Sequence, residues 1–212
     1  MLIKIRGYMI TATERATLKA KLENHEGKVN HMYLDSKGYV TVGVGHLIKD
    51  LASAQKLNFK KTNGLSATKD DIKSDFESVK KQLKNRVSSY YKRFVSLKLL
   101  NTEIDALTKK HIDSFENELK SLFPSFTTYP TEVRLALFDI IFNVGMTDLN
   151  TKWPNFKKAI KSQDWETAAN ESNRKPPVSA ERNKYVKNLL LKAAADKKKR
   201  EEAKKMKVQN EQ

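Results

Sequence analysis

One stretch constrains this chain more than any other: residues 26–46, EGKVNHMYLDSKGYVTVGVGH, which hold four of its seven glycines. Val40, Val42 and Val44 alternate with Thr41, Gly43 and Gly45. Met32 and Leu34 alternate with His31, Tyr33 and Asp35, again with the period of two that half-buried strands show. Asp35-Ser36-Lys37-Gly38 lies between, and its glycine can take the positive φ that a short hairpin loop needs. The stretch predicts a β-hairpin with one apolar face. Asp35 and Thr41 fall on the other face, beside glycines that remove side-chain bulk, and such a floor suits a flat polar ligand.

A run that should be helical ends at Glu26-Gly27. Glu26 then sits at a helix C-terminus, where the macrodipole disfavours negative charge and a proton donor is at home. A donating carboxyl opposed to an ionised Asp35 is the division of labour that glycosidic cleavage uses. The ungapped spacing of Glu26-Gly27, Asp35, Gly38-Tyr39, Thr41, Gly43, Gly45, His46 and Leu47 resembles the catalytic hairpin of the T-even bacteriophage lysozymes, glycoside hydrolase family 24. The resemblance runs from roughly residue 10 to 195, with a longer segment around 86–130. The phrases LFPSFTTYP, FNVG and SAERNKYVKNLL are similar to the muramidase domains of type VI secretion effectors and spike proteins.

That resemblance implies roles. Glu26 would be the general acid, Asp35 the carboxylate that stabilises the oxocarbenium-like transition state and orients a water, and Thr41 the holder of that water. A carboxyl–water–carboxyl arrangement implies inversion. Leu47, Phe142 and Asn143 would line the cleft between hairpin and helical lobe. Arg182 matches an arginine that opens the last helix and pairs with the catalytic glutamate across the cleft, although Tyr185 stands where a second arginine is common. His46, Gly43 and Gly45 read as structural residues near the site. His25 and His31 match no family motif. Read without the resemblance, Glu26 is a surface glutamate, Asp35 a turn-initiating aspartate, Thr41 a strand threonine and Arg182 a basic surface residue.

Lys and Arg exceed Asp and Glu by 16, which predicts attraction to a polyanion: nucleic acid, anionic lipid or the bacterial envelope. The last seventeen residues hold seven Lys/Arg against four Asp/Glu, so most of the surplus belongs to the folded body. The absence of cysteine excludes disulfides and thiolate metal sites. No His/Asp/Glu set has metal spacing, and neither a metal nor a cofactor is expected. The opening MLIKIRGYMI is too short and charged for a secretory signal, and no run reaches transmembrane length. Synthesis in the cytoplasm and action in the periplasm or wall of a target or host bacterium, after delivery by a secretion system or holin, is the expectation.

Along the chain, residues 1–10 read as a strand or extended lead-in. Thr11 and Thr68 open helices, each with an acid three residues on. The stripe Ile72, Phe76, Val79, Leu83 marks a helix at the place where the phage enzymes have the long helix joining their lobes. Residues 86–101 show no clear pattern. Another helix runs from Thr102 to Pro124. VRLALFDIIFNV, hydrophobic nearly all round, predicts a buried helical axis ending at Gly145, with Asp139 needing a polar partner or the surface. Short helices begin at Trp153-Pro154 and Asp164-Trp165, and Ser179 opens a last helix that continues as a solvated extension or a frayed tail.

The expected fold is α+β and mainly helical, two-lobed and lysozyme-like, with a small antiparallel hairpin in the N-terminal lobe. Residues 1–66 would form the helix-and-hairpin lobe, 67–195 the connecting helix and helical lobe, and 196–212 a basic tail. The function implied is hydrolysis of the β-1,4 bond between N-acetylmuramic acid and N-acetylglucosamine by a monomeric, bacteriolytic enzyme. Peptidoglycan is the expected partner, together with a secretion spike or carrier or an immunity protein, and without nucleic acid or membrane insertion. The rival is a non-catalytic basic binder of envelope polyanions or nucleic acid on the same scaffold. A third reading keeps the fold and changes the reaction to chitinase-like or transglycosylase chemistry.

Overall fold

The computed structural model describes residues 10–210, so the lead-in expected at 1–10 lies outside the described residues except for Ile10. Contacts divide the chain into two compact units, one of Lys19–His111 and one of the stretch up to Leu18 with Ile112 onward. The expected 66/67 junction lies inside the first of these. The architecture is mainly helical with small antiparallel sheets, as expected. Among the described residues no helix is long and apolar enough to cross a membrane.

Helix α1 (Ala12–Glu26) starts where Thr11 Oγ1 accepts from the Glu14 N–H at 3.1 Å and Glu14 Oε2 accepts from the Thr11 N–H at 2.7 Å. This reciprocal capping satisfies two helix-end donors at once. Strands β1 (Val29–Leu34), β2 (Val40–Gly43) and β3 (His46–Leu47) form one antiparallel sheet in that order. The third strand is absent from the sequence expectation, which continues β2 through Val44. Gly43 and Gly45 take φ of +69° and +68°, and this turns the chain back before a longer strand can form.

The apolar face of the sheet holds as read: Met32, Leu34, Val40 and Val42 are buried. Such burial contributes on the order of 1.5–3 kcal/mol for each large side chain. Helix α2 (Leu51–Ala54) is a single turn, and β4 (Phe59–Lys60) follows. Helix α3 (Lys69–Lys80) starts at a full capping box between Thr68 and Asp71 and buries Ile72, Phe76 and Val79. The short α4 (Ser88–Tyr91), a 3-10 turn at Lys92–Phe94 and β5 (Lys98–Leu99) complete this unit with the start of α5 (Asn101–Leu122). Strand β5 pairs with β4, while α3, α4 and the 3-10 turn pack on β1. Helix α3, which the resemblance matches to a lobe-joining helix, lies wholly within Lys19–His111, and the 22-residue α5 has residues in both units.

The second unit is built on α6 (Thr131–Lys152), whose residues Leu135 to Ile141 are all buried. Gly145, at φ 78° and ψ 163°, breaks the helix where the phrase FNVG predicts an end. Helices α7 (Pro154–Lys161) and α8 (Trp165–Asn170) begin at Trp153-Pro154 and at the Asp164 cap, as the sequence predicts. Helix α9 (Ala180–Asn210) packs on α6 and α8 through Val186, Leu190 and Ala193, then continues as an exposed basic extension.

Candidate active site

The predicted acid ends α1. Gly27, at φ +76°, donates its N–H to the Glu23 carbonyl at 3.0 Å and closes the helix one residue after Glu26. The following Lys28 is held by Asp105 at 2.5 Å and Glu23 at 3.3 Å, which fixes the path from Glu26 into β1. Glu26 is half-buried.

The register of the sheet decides which side chains share a face. Tyr33 pairs with Thr41 and Leu34 with Val40, so Tyr33, Asp35 and Thr41 lie on one side, as the alternation predicts. Asp35 is indeed a turn residue: its Oδ1 accepts from the N–H groups of Lys37 at 2.9 Å and Tyr39 at 2.8 Å. One carboxylate oxygen is thereby anchored by the backbone, which fixes the plane of the group and leaves Oδ2 outside these bonds. Thr41 is 2% exposed and donates its hydroxyl to the Tyr39 carbonyl at 3.0 Å, so only its oxygen lone pairs remain for a further partner. Leu47 stands opposite Thr41 across β2–β3 and is 39% exposed, an apolar side chain presented to solvent beside the threonine.

Tyr33 belongs to this constellation and is missing from the sequence prediction. Burial pushes its phenol up to about 12; the Glu26 and Asp35 carboxylates add to this, and the Gly45 N–H opposes it. Both predicted catalytic carboxylates therefore act on one neutral phenol. The signal was available, because Tyr33 shares the period-two face with Asp35.

The expectation of an open glycine floor fails at Gly43. A Cβ on Gly43 would stand 3.1 Å from Ile104 Cγ2, so at that position α5 fills the space rather than leaving it for a ligand. Gly43 and Gly45 form the turn at positive φ. His46 has a partner the sequence did not indicate: its Nδ1 lies 2.8 Å from His111 Nε2, with the rings edge-on at 5.1 Å. Burial first, then His111 and Lys110, hold the His46 imidazole down to about 4, and burial lowers His111 as well. His31 is tied to the Ser88 carbonyl at 3.0 Å.

The remaining predicted residues belong to the second unit. Phe142 is half-buried and edge-on to Phe115 at 5.7 Å, and Asn143 is exposed two residues before the Gly145 break. Arg182 is no surface residue: it is 6% exposed, and its Nε donates to both Asp139 oxygens at 3.1 Å. Arg174 Nη1 meets the same carboxylate at 2.7 Å, which supplies the polar partner Asp139 required.

No family model matches the chain. Over 177 residues, covering 75% of this chain and 91% of the relative, it is 24% identical to a Dictyostelium discoideum protein described as "Probable T4-type lysozyme 1". The chain is thus a distant homologue of a T4-type lysozyme, which agrees with the resemblance carried by the hairpin.

Proposed function

We propose that this protein is a muramidase that hydrolyses the β-1,4 bond between N-acetylmuramic acid and N-acetylglucosamine in peptidoglycan. The observation that carries this reading is the pair of carboxyls, Glu26 at a helix end and a backbone-anchored Asp35, whose charges both act on Tyr33, the strand neighbour of Thr41. Glu26 donates its proton to the bridging oxygen as the bond to C1 breaks. Water adds to C1 from the opposite side and gives its proton to Asp35, and the Thr41 oxygen accepts a hydrogen bond from that water. The outcome is inversion. Leu47, exposed beside Thr41, is assigned to glycan contact on the family resemblance. An antibacterial effector role, with delivery to the periplasm or wall, belongs to the same proposal.

The test is turbidity loss of purified sacculi with wild type and Glu26→Gln, followed by mass spectrometry of the soluble products. Glu26→Gln should lose about 100-fold or more in rate with its fold intact, since it removes the proton donor with little change of shape. Full activity in that variant would sink the assignment, and anhydro sugar ends would point to a transglycosylase instead. Periplasmic but not cytoplasmic expression should lyse cells; the reverse pattern would refute the proposed site of action.

A further inference from the structure

Residues 78–102, in the same unit as the hairpin, contain seven Lys and Arg and no Asp or Glu. All seven are exposed, and among the described residues none pairs with a carboxylate. Other cations of this unit, Lys19, Lys28 and Lys61, have carboxylate partners in Asp105, Glu23 and Asp71. The 78–102 segment differs in holding its cations in a stretch with no acidic residue between Glu77 and Glu103.

The segment is also held in place. Tyr91 donates its hydroxyl to the Leu83 carbonyl at 2.7 Å, His31 meets the Ser88 carbonyl, and Asp75 accepts from the Ser96 and Leu97 N–H groups at 2.9 and 2.8 Å. The Lys84 side chain runs beside the hairpin turn, with Cδ 3.5 Å from where a Gly38 Cβ would stand. Arg93 and Arg86 lie over the Tyr90 ring at 4.8 and 5.9 Å. The backbone carrying these charges is therefore held in place, with Lys84, Arg86 and Arg93 also in contact along their side chains, beginning at the turn that carries Asp35.

We infer that this surface binds a linear, base-free phosphodiester polymer, the kind of polyanion carried on peptidoglycan; the choice of source rests on the muramidase reading. Unpaired cations spaced along a segment held in place match regularly repeating phosphates, and binding releases the counterions of both partners. The aromatic rings argue against a single-stranded nucleic acid. Tyr90 is engaged by two guanidinium groups and by Phe94 at 5.4 Å, so it offers no stacking platform for bases.

The test is binding of fluorescent poly(glycerol phosphate) to full-length protein across a salt series. Three proteins are compared: wild type, Lys84→Gln/Arg86→Gln/Arg93→Gln, and the control Lys198→Gln/Lys199→Gln/Lys205→Gln on the exposed end of α9. The first variant should weaken binding by about tenfold or more and flatten the slope of log affinity against log salt by about 2. The control should change affinity less than about twofold, and the charge-retaining Lys84→Arg/Arg86→Lys/Arg93→Lys should bind like wild type. Unchanged binding in the Gln variant, or an equal loss in the α9 control, would overturn the assignment. So would tighter binding of an oligothymidylate than of poly(glycerol phosphate). Polymer binding needs no sugar cleavage, so binding that persists in a protein inactive on polymer-stripped sacculi would support this surface while counting against the muramidase.

Discussion

The two compact units keep buried polar groups in different ways. In the unit of Lys19–His111 the backbone is the main partner. Asp75 is 5% exposed and accepts from two N–H groups and the Ser96 hydroxyl, His31 from this unit binds a carbonyl, and so does Thr41. Even its histidine pair is neutral against neutral. The second unit uses opposite charges. Glu14 meets Arg134 at 2.6 Å, Glu116 meets Arg15 and Lys120 at 2.7 Å, and Asp139 takes Arg174 and Arg182. Backbone partners hold loops in place, as a unit with short strands and irregular connections requires. Charge pairs instead join long helices whose own backbone bonds are already spent.

The largest test of this contrast is Asp139→Asn. It removes the carboxylate that both buried guanidinium groups grip and should cost about 3–5 kcal/mol, lowering the melting temperature of the whole chain by roughly 10 °C. A loss under about 1 kcal/mol would show that the cluster is not held by charge. Next comes Asp75→Ala, which orphans the N–H groups of Ser96 and Leu97 and should cost about 2–3 kcal/mol. Its specific mark is faster hydrogen exchange at those two amides; unchanged protection there would break the backbone half of the comparison.

The smallest effect is on acid response. An unfolded imidazole titrates near 6.5 and buried His46 near 4, so between these values the unfolded chain takes up the extra proton. The stability His46 contributes is full above about pH 6.5 and is lost as pH falls toward 4. For Glu14, burial works against a lowered carboxyl, but the Thr11 N–H and Arg134 prevail, so its contribution persists until pH falls through the carboxylate range. Both tryptophans, Trp153 and Trp165, lie in the second unit. Acidification should loosen hairpin amides in hydrogen exchange before tryptophan fluorescence changes, and His46→Gln should narrow that gap. Simultaneous change in both signals would erase the distinction.

Sequence pattern revealed what local chemistry encodes. The capping boxes at Thr11 and Thr68, the buried axis of α6 with its Gly145 break, and the shared face of Asp35 and Thr41 all follow from residues a few positions apart. What it missed depends on partners far along the chain. His111 lies 65 residues from His46. Ile104 closes Gly43 from another element, and β5 exists only because β4 pairs with it. No period within residues 86–101 could announce a segment held at Ser88 by His31 and at Ser96 and Leu97 by Asp75. Burial of Arg182 was likewise invisible, because its Asp139 partner is 43 residues away in sequence.

The turn from Asp35 to Tyr39 makes its bonds with its own atoms. Asp35 donates its N–H to the Tyr39 carbonyl at 3.0 Å, accepts the Gly38 N–H on its carbonyl at 3.0 Å, and grips two further N–H groups with its side chain. Five consecutive residues thus form a self-contained cassette whose shape needs no partner from elsewhere in the chain. Such a cassette should keep its shape when grafted onto another hairpin.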